Sequence, residues 1–313
     1  ARCYSKSKEL LVVDGAYHGN TNACIEASPY KFDGPGGEGA ASHVHTVPLP
    51  DPYRGEFTGN TPETAQAYAE SVKQVLTKLQ QQGKKPGAFI CESLQGVAGQ
   101  IIMPEGYLKQ AYEHVRQASG VCIADEVQVG FGRVGTHMWA FQTQDVVPDI
   151  VTLGKPIGNG HPLGAVITTP EIAKAFETGM EYFNTFGGNP VSCAIGTAVL
   201  DVIENENLKQ NAEQVGRYMR EEVKNLQQEF PVIGDVRGLG LFVGVELVEN
   251  QATKEPATAK TAELVEYFKT QNILLSTEGP FYNVLKIKPP IVFSKRDCDK
   301  FLVSLRQGLA RIS

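Results

Sequence analysis

The run Val121-Cys122-Ile123-Ala124-Asp125-Glu126-Val127-Gln128 is an apolar stretch that ends in two adjacent carboxylates. Further along, Lys155 stands in the glycine-rich segment Thr152-Leu153-Gly154-Lys155-Pro156-Ile157-Gly158-Asn159-Gly160. Carboxylates that close an apolar strand sit at the carboxyl edge of a sheet, where open α/β folds bind ligands. Two chemistries use such residues. A Walker-B-like acidic pair holds a nucleotide-bound magnesium ion, but it needs G-x-x-x-x-G-K-[ST]. Here the first glycine position falls on Asp149 and Pro156 follows Lys155, so that reading fails locally. The other chemistry is a Schiff-base lysine with a carboxylate partner. A protonated lysine is a poor nucleophile and needs burial or a nearby cation to become one. The glycines around Lys155 let the backbone approach a flat ligand closely. Asp125, held on a rigid strand end, could keep a pyridinium nitrogen protonated, so that the cofactor works as an electron sink. Taken singly, Lys155 reads as a solvated loop lysine and Asp125 as an ion-pair or helix-cap carboxylate.

These residues must be positioned by alternating strands and helices. Leu10–Val13, Ala88–Cys91, Val121–Ala124, Ile150–Leu153 and Ala165–Thr168 are short apolar runs of strand type. Thr61-Pro62 reads as an N-cap followed by proline in the first turn. Ala65, Tyr68, Val72, Val75, Leu76 and Leu79 then recur at helical spacing up to Gly83. A second helix is expected over about Tyr107–Ala118. This alternation predicts a mostly parallel sheet with helices on both faces. From Pro190 to about Gln228 the pattern is helical and amphipathic. After Pro231 it changes to a strand at Leu241–Leu247, a helix near Ala259–Thr270, two short strands and a final helix. The expected division is a large domain over 1–228, ending in a long helical connection, and a small α+β domain over 229–313. Asp33–Ala41 reads as a flexible surface loop.

Composition bounds the partners. Of 313 residues, 42% are hydrophobic and 20% charged, which supports a sizeable core and argues against disorder. The formal net charge of −6, without a long basic run, invites neither nucleic acid nor an anionic membrane. No apolar stretch approaches the roughly 20 residues that cross a bilayer. Six scattered cysteines without a C-x-x-C pair fit reduced thiols in a cytoplasmic compartment. Cys91 and Cys122, inside apolar strands, read as buried and inert thiols. His43-Val44-His45 has no further ligand at finger-like spacing, so these read as loop histidines and no metal site is expected. Gly238-Leu239-Gly240 with Gly244 precedes a strand where a dinucleotide fingerprint should follow one, and reads as a turn.

The ordered motifs together resemble the class III aminotransferases, enzymes that use pyridoxal 5'-phosphate (PLP). The resemblance rests on Tyr17-His18-Gly19, Glu92-x-x-Gln95-Gly96, Ile123-Ala124-Asp125-Glu126-Val127-Gln128-x-Gly130-Phe131-Gly132-Arg133 and Gly154-Lys155. It continues through Gly160-x-Pro162-Leu163-Gly164-Ala165 and Thr185-Phe186-Gly187-Gly188-Asn189-Pro190. Within the family, the chain looks most like the branch of ethanolamine-phosphate and phosphohydroxylysine phospho-lyases. That likeness lies in Ser28–Phe32, Pro50-Asp51-x-Tyr53-Arg54-Gly55, Met180–Thr185 and Asn283–Pro290. The resemblance implies the fold-type-I PLP-dependent transferase architecture and a PLP-dependent enzyme. It implies that Lys155 forms the aldimine and moves the substrate proton, and that Asp125 pairs with the pyridinium nitrogen. Gln128 would reach the ring hydroxyl, Tyr17 would stack on the ring, Glu92 would support the pocket, and His18 joins the cofactor-binding set. Thr185 would contact the cofactor phosphate of a partner subunit, which implies a homodimer with a shared site.

Departures from the family bear on substrate. Members that transaminate ω-amino acids commonly carry a carboxylate after Gln-Gly and an arginine before the late Pro-Pro. Those positions hold Val97 and Lys286 here, with Lys288 close by. An arginine fork suits a carboxylate, whereas lysine acts as a point charge. A phosphate ester met by some of Lys31, Arg54, Lys286 and Lys288 is one expectation; solvated surface charges are the other. The expected activity is elimination of phosphate from a small-molecule amine phosphate ester. Amino transfer from an amine or ω-amino acid to a 2-oxo acid is the alternative, and a non-enzymatic binding module is a third. The family's Gly-Ser-x-Ala-Asn phosphate cup has no equivalent in these residues, so the chain is expected to begin partway through the large domain. Glycine amides and helix N-termini hold such phosphates. A version extended at the amino end should therefore bind PLP more tightly than this chain; equal affinities, measured by fluorescence titration, would remove that expectation.

Overall fold

The computed structural model describes residues 1–313. A short N-terminal helix, α1 (Arg2–Ser5), leads into β1 (Leu10–Val13), two short helices, α2 (Asn22–Glu26) and α3 (Pro29–Phe32), and β2 (Val44–Val47). Helix α4 (Pro62–Gln81), β3 (Ala88–Glu92), α5 (Tyr107–Gln117), β4 (Val121–Asp125), β5 (Ile150–Leu153) and β6 (Ala165–Thr168) complete a six-stranded sheet. Its order is β2-β1-β3-β4-β5-β6, parallel throughout except for β6, which runs antiparallel to β5.

Side chains alternate across each strand. Leu11, Val13, Phe89, Cys91 and Cys122 face one side, where Tyr68, Val72 and Leu76 of α4 and Leu108, Tyr112 and Val115 of α5 cover them. Val12 faces the other side, against Ala27, Phe32 and Val44. Thr61 caps α4 through its hydroxyl, which accepts from Thr64 N at 3.3 Å, and Pro62 follows in the first turn as expected. Cys91 and Cys122 are buried, and burial raises both thiol pKa values, so they are inert as read.

Helix α6 (Pro170–Ala175) leads to α7 (Pro190–Asn205) and α8 (Leu208–Glu229), which break at Asn207 in left-handed backbone. The second sheet follows: β7 (Ile233–Leu239), β8 (Phe242–Asn250), β9 (Glu255–Pro256), β10 (Ser276–Glu278) and β11 (Val284–Ile287), joined by α9 (Thr258–Thr270) and closed by α10 (Lys295–Ile312). The strand path is β10-β11-β8-β7, all antiparallel, with β9 added on β8. Its core joins Val243, Val245 and Leu247 of β8 to Met219 of α8, Phe268 of α9 and Leu305 of α10. The expected α/β architecture, a mostly parallel sheet followed by a smaller α+β unit, is the one observed. Of the segment expected to form a turn, Gly238 and Leu239 close β7 and pair with Val243 and Phe242, and only Gly240, with Leu241, makes the turn into β8. Three strands go beyond the expectation: β7 itself, the two-residue β9, and β2, which begins inside the segment read as loop histidines. His45 in β2 hydrogen-bonds Glu9 at 2.7 Å.

No helix is long and apolar enough to cross a membrane. Where α8 crosses the β7–β8 turn, only a glycine fits. A Cβ at Gly216 would lie 1.9 Å from the Gly240 carbonyl oxygen. Gly216→Ala must push two backbones apart and should destabilise the protein by about 1–3 kcal/mol, read as a lower urea midpoint at constant slope.

Candidate active site

Asp125 closes β4 at the carboxyl edge of the large sheet and is 5% exposed. Its register partners are Glu92 at the end of β3 and Thr152 in β5. Parallel pairing therefore brings the ends of three strands together, and Lys155 follows just beyond β5. His18 reaches Asp125 from the loop after β1, with Nδ1 2.7 Å from Oδ2. The second carboxylate oxygen, Oδ1, accepts from Val127 N at 3.0 Å. His18 Nε2 is buried and has no partner within the chain. Ser28 holds the same loop: its hydroxyl accepts from His18 N at 2.8 Å and donates to the Cys24 carbonyl.

Glu92 is buried beside Asp125 and accepts from Tyr17 N at 3.2 Å and Gly96 N at 3.1 Å. Burial, reinforced by the Asp125 charge, raises its pKa to about 7. Glu126 points the opposite way. It is fully buried and accepts from Ala140 N at 2.8 Å and Phe141 N at 2.9 Å, at the start of the 3₁₀ turn Ala140–Gln144. Burial raises it to about 7 as well. Sequence reasoning missed this role, because the amides it caps lie more than ten residues on, in a segment without a helix signature.

Tyr17 is partly exposed and meets Tyr30 edge to face, with ring centroids 5.9 Å apart. Lys31 Nζ lies 5.6 Å from the centroid of each of these rings and makes no ion pair. Lys155 is exposed and also unpaired, and its backbone is left-handed at φ 38°. Gln128 accepts from Lys288 Nζ at 2.6 Å. Thr185, in contrast, lies in the exposed segment between α6 and α7, and no hydrogen bond ties its side chain to the cluster.

The other two basic residues are paired. Arg54 bonds Glu246, which is 1% exposed, and Arg237 reaches the same carboxylate at 2.8 Å. Arg237 also donates to the Gly99 carbonyl at 2.7 Å, which fastens the second sheet to the turn after Glu92. Lys286 pairs with Glu278. Nothing in the sequence flagged Arg237 or Glu246, since their partners are remote along the chain. A cavity of about 670 Å³ runs beside this cluster, lined in part by Tyr30, Lys31, Val97, Gly279 and Tyr282.

The donor set fits PLP. A buried carboxylate at a parallel strand end suits a pyridinium nitrogen, an exposed primary amine stands past the next strand, and Tyr17 offers a flat face. The fold and this cluster together are those of a fold-type-I PLP-dependent enzyme. Comparison with known proteins agrees. The family described as "Aminotransferase class-III" matches residues 1–309. The chain is 50% identical to the Drosophila melanogaster "Alanine--glyoxylate aminotransferase 2-like" over all of its own length and 64% of that protein's. It is 40% identical to the Caenorhabditis elegans "Ethanolamine-phosphate phospho-lyase homolog 1", covering 69% of it. An Arthrobacter phospholyase solved in complex with phosphoethanolamine superposes with a TM-score of 0.91 at 38% identity, over 99% of this chain and 72% of that one. The chain belongs to the class III aminotransferases, and the cofactor of the family is PLP. It spans a little under two thirds of the length of the fly relative.

Glu92 has a pH consequence in the cofactor-free protein. Its folded pKa of about 7 lies above the ordinary value, so its contribution is present below about pH 4.5 and is lost as pH rises through 7. Glu92→Gln should flatten the decline of stability between pH 5 and 7 by up to about 1.4 kcal/mol per pH unit. Denaturation midpoints measured across that range check it, and parallel curves for the two proteins would contradict the assignment.

Proposed function

We propose that the protein is a PLP-dependent lyase that acts on an amine carrying a phosphate ester, of the phosphoethanolamine type. The observation that carries this reading is the state of its basic residues. Arg54 and Lys286 already face buried carboxylates, whereas the Lys31 ammonium makes no ion pair and lies 5.6 Å from the Tyr17 and Tyr30 ring centroids, at a cavity that Tyr30 and Lys31 line. A phosphate takes a point charge well, whereas Arg54 already engages Glu246 through Nε and keeps Nη2 buried without a partner, so it offers a substrate carboxylate no wholly free fork. The phospholyase among the similar structures and the nematode relative support the same direction.

When bound, PLP supplies an electron sink for the carbon next to the substrate nitrogen. The chain's residues do the rest. Asp125 holds a proton at the ring nitrogen, and His18, anchored by Ser28, keeps Asp125 oriented. Tyr17 would offer its face to the ring, and Gln128 its amide to the ring hydroxyl. Lys155 is the amine that would hold the cofactor, and once freed it would take the proton from the carbon bearing the substrate amine. Phosphate leaves from the neighbouring carbon, and water completes the balance: amine phosphate ester plus water gives aldehyde, ammonia and phosphate. Glu92 closes the pocket wall behind Tyr17.

Two further parts of the reading concern assembly. Residues 1–228 would form a large unit, with α8 as the connection, and 229–313 a small one. Thr185 lies among exposed Tyr182, Phe183 and Phe186, which supports a homodimer in which it serves the partner's cofactor. Six free thiols fit a cytoplasmic setting. The second reading is an amine:2-oxo acid aminotransferase, favoured by the name of the fly relative.

Full-length PLP-loaded protein given phosphoethanolamine without any 2-oxo acid should release phosphate, and Lys155→Ala should abolish the release. Lys31→Gln should raise KM for the phosphorylated amine by about tenfold, the worth of one charged contact. Amino transfer that requires a 2-oxo acid, with no phosphate released, would sink the lyase reading in favour of the second.

A further inference from the structure

Lys288 follows β11 in the second sheet, whereas Gln128 follows β4 in the first, so their contact spans the seam between the two units. Lys288 Nζ donates to the Gln128 amide oxygen at 2.6 Å, the only amide atom of Gln128 that the charged ammonium, with three donors and no acceptor, can face. The amide NH₂ is thereby turned the other way. It makes no hydrogen bond within the chain, and its position is fixed by Gly96. A Cβ there would sit 2.9 Å from Gln128 Nε2 and 3.0 Å from Glu92 Oε2. The free donor therefore lies beside Glu92, the register partner of Asp125.

Lys288 is itself held. Its Nζ lies 5.2 Å from the centroid of the fully buried Phe242 ring. The charged groups facing it are Lys286 and Glu278 from the second sheet, Glu92 from β3, and Arg133 from the loop after β4. Burial, then Lys286, lowers its pKa to about 7, against the opposing pull of Glu278 and Glu92. Arg133 donates to the Leu241 and Pro289 carbonyls at 3.0 and 2.8 Å and so fixes the backbone next to Lys288. A cation held this firmly against an amide is poorly placed to follow a substrate in and out.

We propose that Lys288 is a positioning residue: by engaging the amide oxygen of Gln128, it commits the amide NH₂ to donate to the ring oxygen of the cofactor. This rests on the PLP reading above, but on neither the lyase nor the aminotransferase branch of it. Lys288 acts through Gln128 and lends its charge to that side of the ring.

The test is a pH titration of the visible absorption band of full-length, PLP-loaded protein without substrate. Removing a nearby positive charge eases proton uptake at the chromophore, so Lys288→Met should move the midpoint up by about half a unit or more. Its PLP should dissociate several-fold faster. Lys288→Arg, also a pure donor, should restore most of both, and adding Lys288→Met to Gln128→Ala should change PLP affinity little further. An unchanged midpoint and PLP affinity in Lys288→Met, with KM for the phosphorylated amine alone raised, would overturn the proposal and make Lys288 a substrate cation. Full additivity of the two substitutions would overturn it as well. A parent protein with no PLP band at any pH would instead overturn the cofactor reading, and this inference with it.

Discussion

Parallel pairing of β3 with β4 puts Glu92 and Asp125 side by side, with Glu126 one residue further on. Three carboxylates at one sheet edge, all nearly inaccessible to water, are costly unless each finds donors. The surrounding chain is shaped by that need. The loop after β1 brings Tyr17 N to Glu92 and His18 to Asp125; the turn at Gly96 brings a second amide to Glu92; the 3₁₀ turn at Ala140 brings two amides to Glu126. Two of these segments, the loop after β1 and the turn at Gly96, also line the cavity. Satisfying the buried charge and building the site are thus one act of folding.

The second unit is tied to those same segments. Gly279 N donates to the Val97 carbonyl at 2.9 Å, Arg237 grips Gly99, and Arg133 reaches Leu241 and Pro289. Each bond ends within a few residues of Glu92 or Gln128. Beneath them, Phe242 of β8 packs with Leu94, Val129, Val134 and Ala140 in a small apolar cluster of its own. The seam is therefore buried and directional, and the Arg54–Glu246–Arg237 group adds paired charge within it. Paired charges in such a place contribute little net stability but penalise any wrong docking.

Much of this was legible in the amino-acid order. Leu10–Val13, Ala88–Cys91, Val121–Ala124 and Ile150–Leu153 are short apolar runs because both faces of a parallel sheet are covered, and the motif around Asp125 marks its carboxyl edge. What escaped reading shares one cause, dependence on partners far along the chain. β2 holds only two apolar residues, with His45 stabilised by Glu9 from another element. β7 contains Gly234, Asp235, Arg237 and Gly238, which break any period, and it is a strand because β8 pairs it and Glu246 receives its arginine. The pairing of Arg54 and of Lys286 could not be foreseen for the same reason. Resemblance to a family nominated side chains for the site, but could not tell which of its cations were already engaged.

Lys155 sits in left-handed backbone just past β5, a conformation that costs a non-glycine residue on the order of 1 kcal/mol. Glycine would occupy that place without strain. On the reading proposed above, the molecule therefore carries, at its reactive amine, a residue its own backbone would exchange for another. A variant with glycine at that position would be the sturdier protein and, if Lys155 carries the proposed chemistry, the inactive one. Selection for robustness alone would favour glycine at this position, so a strained lysine is what a demand for chemistry here, as proposed above, would leave behind.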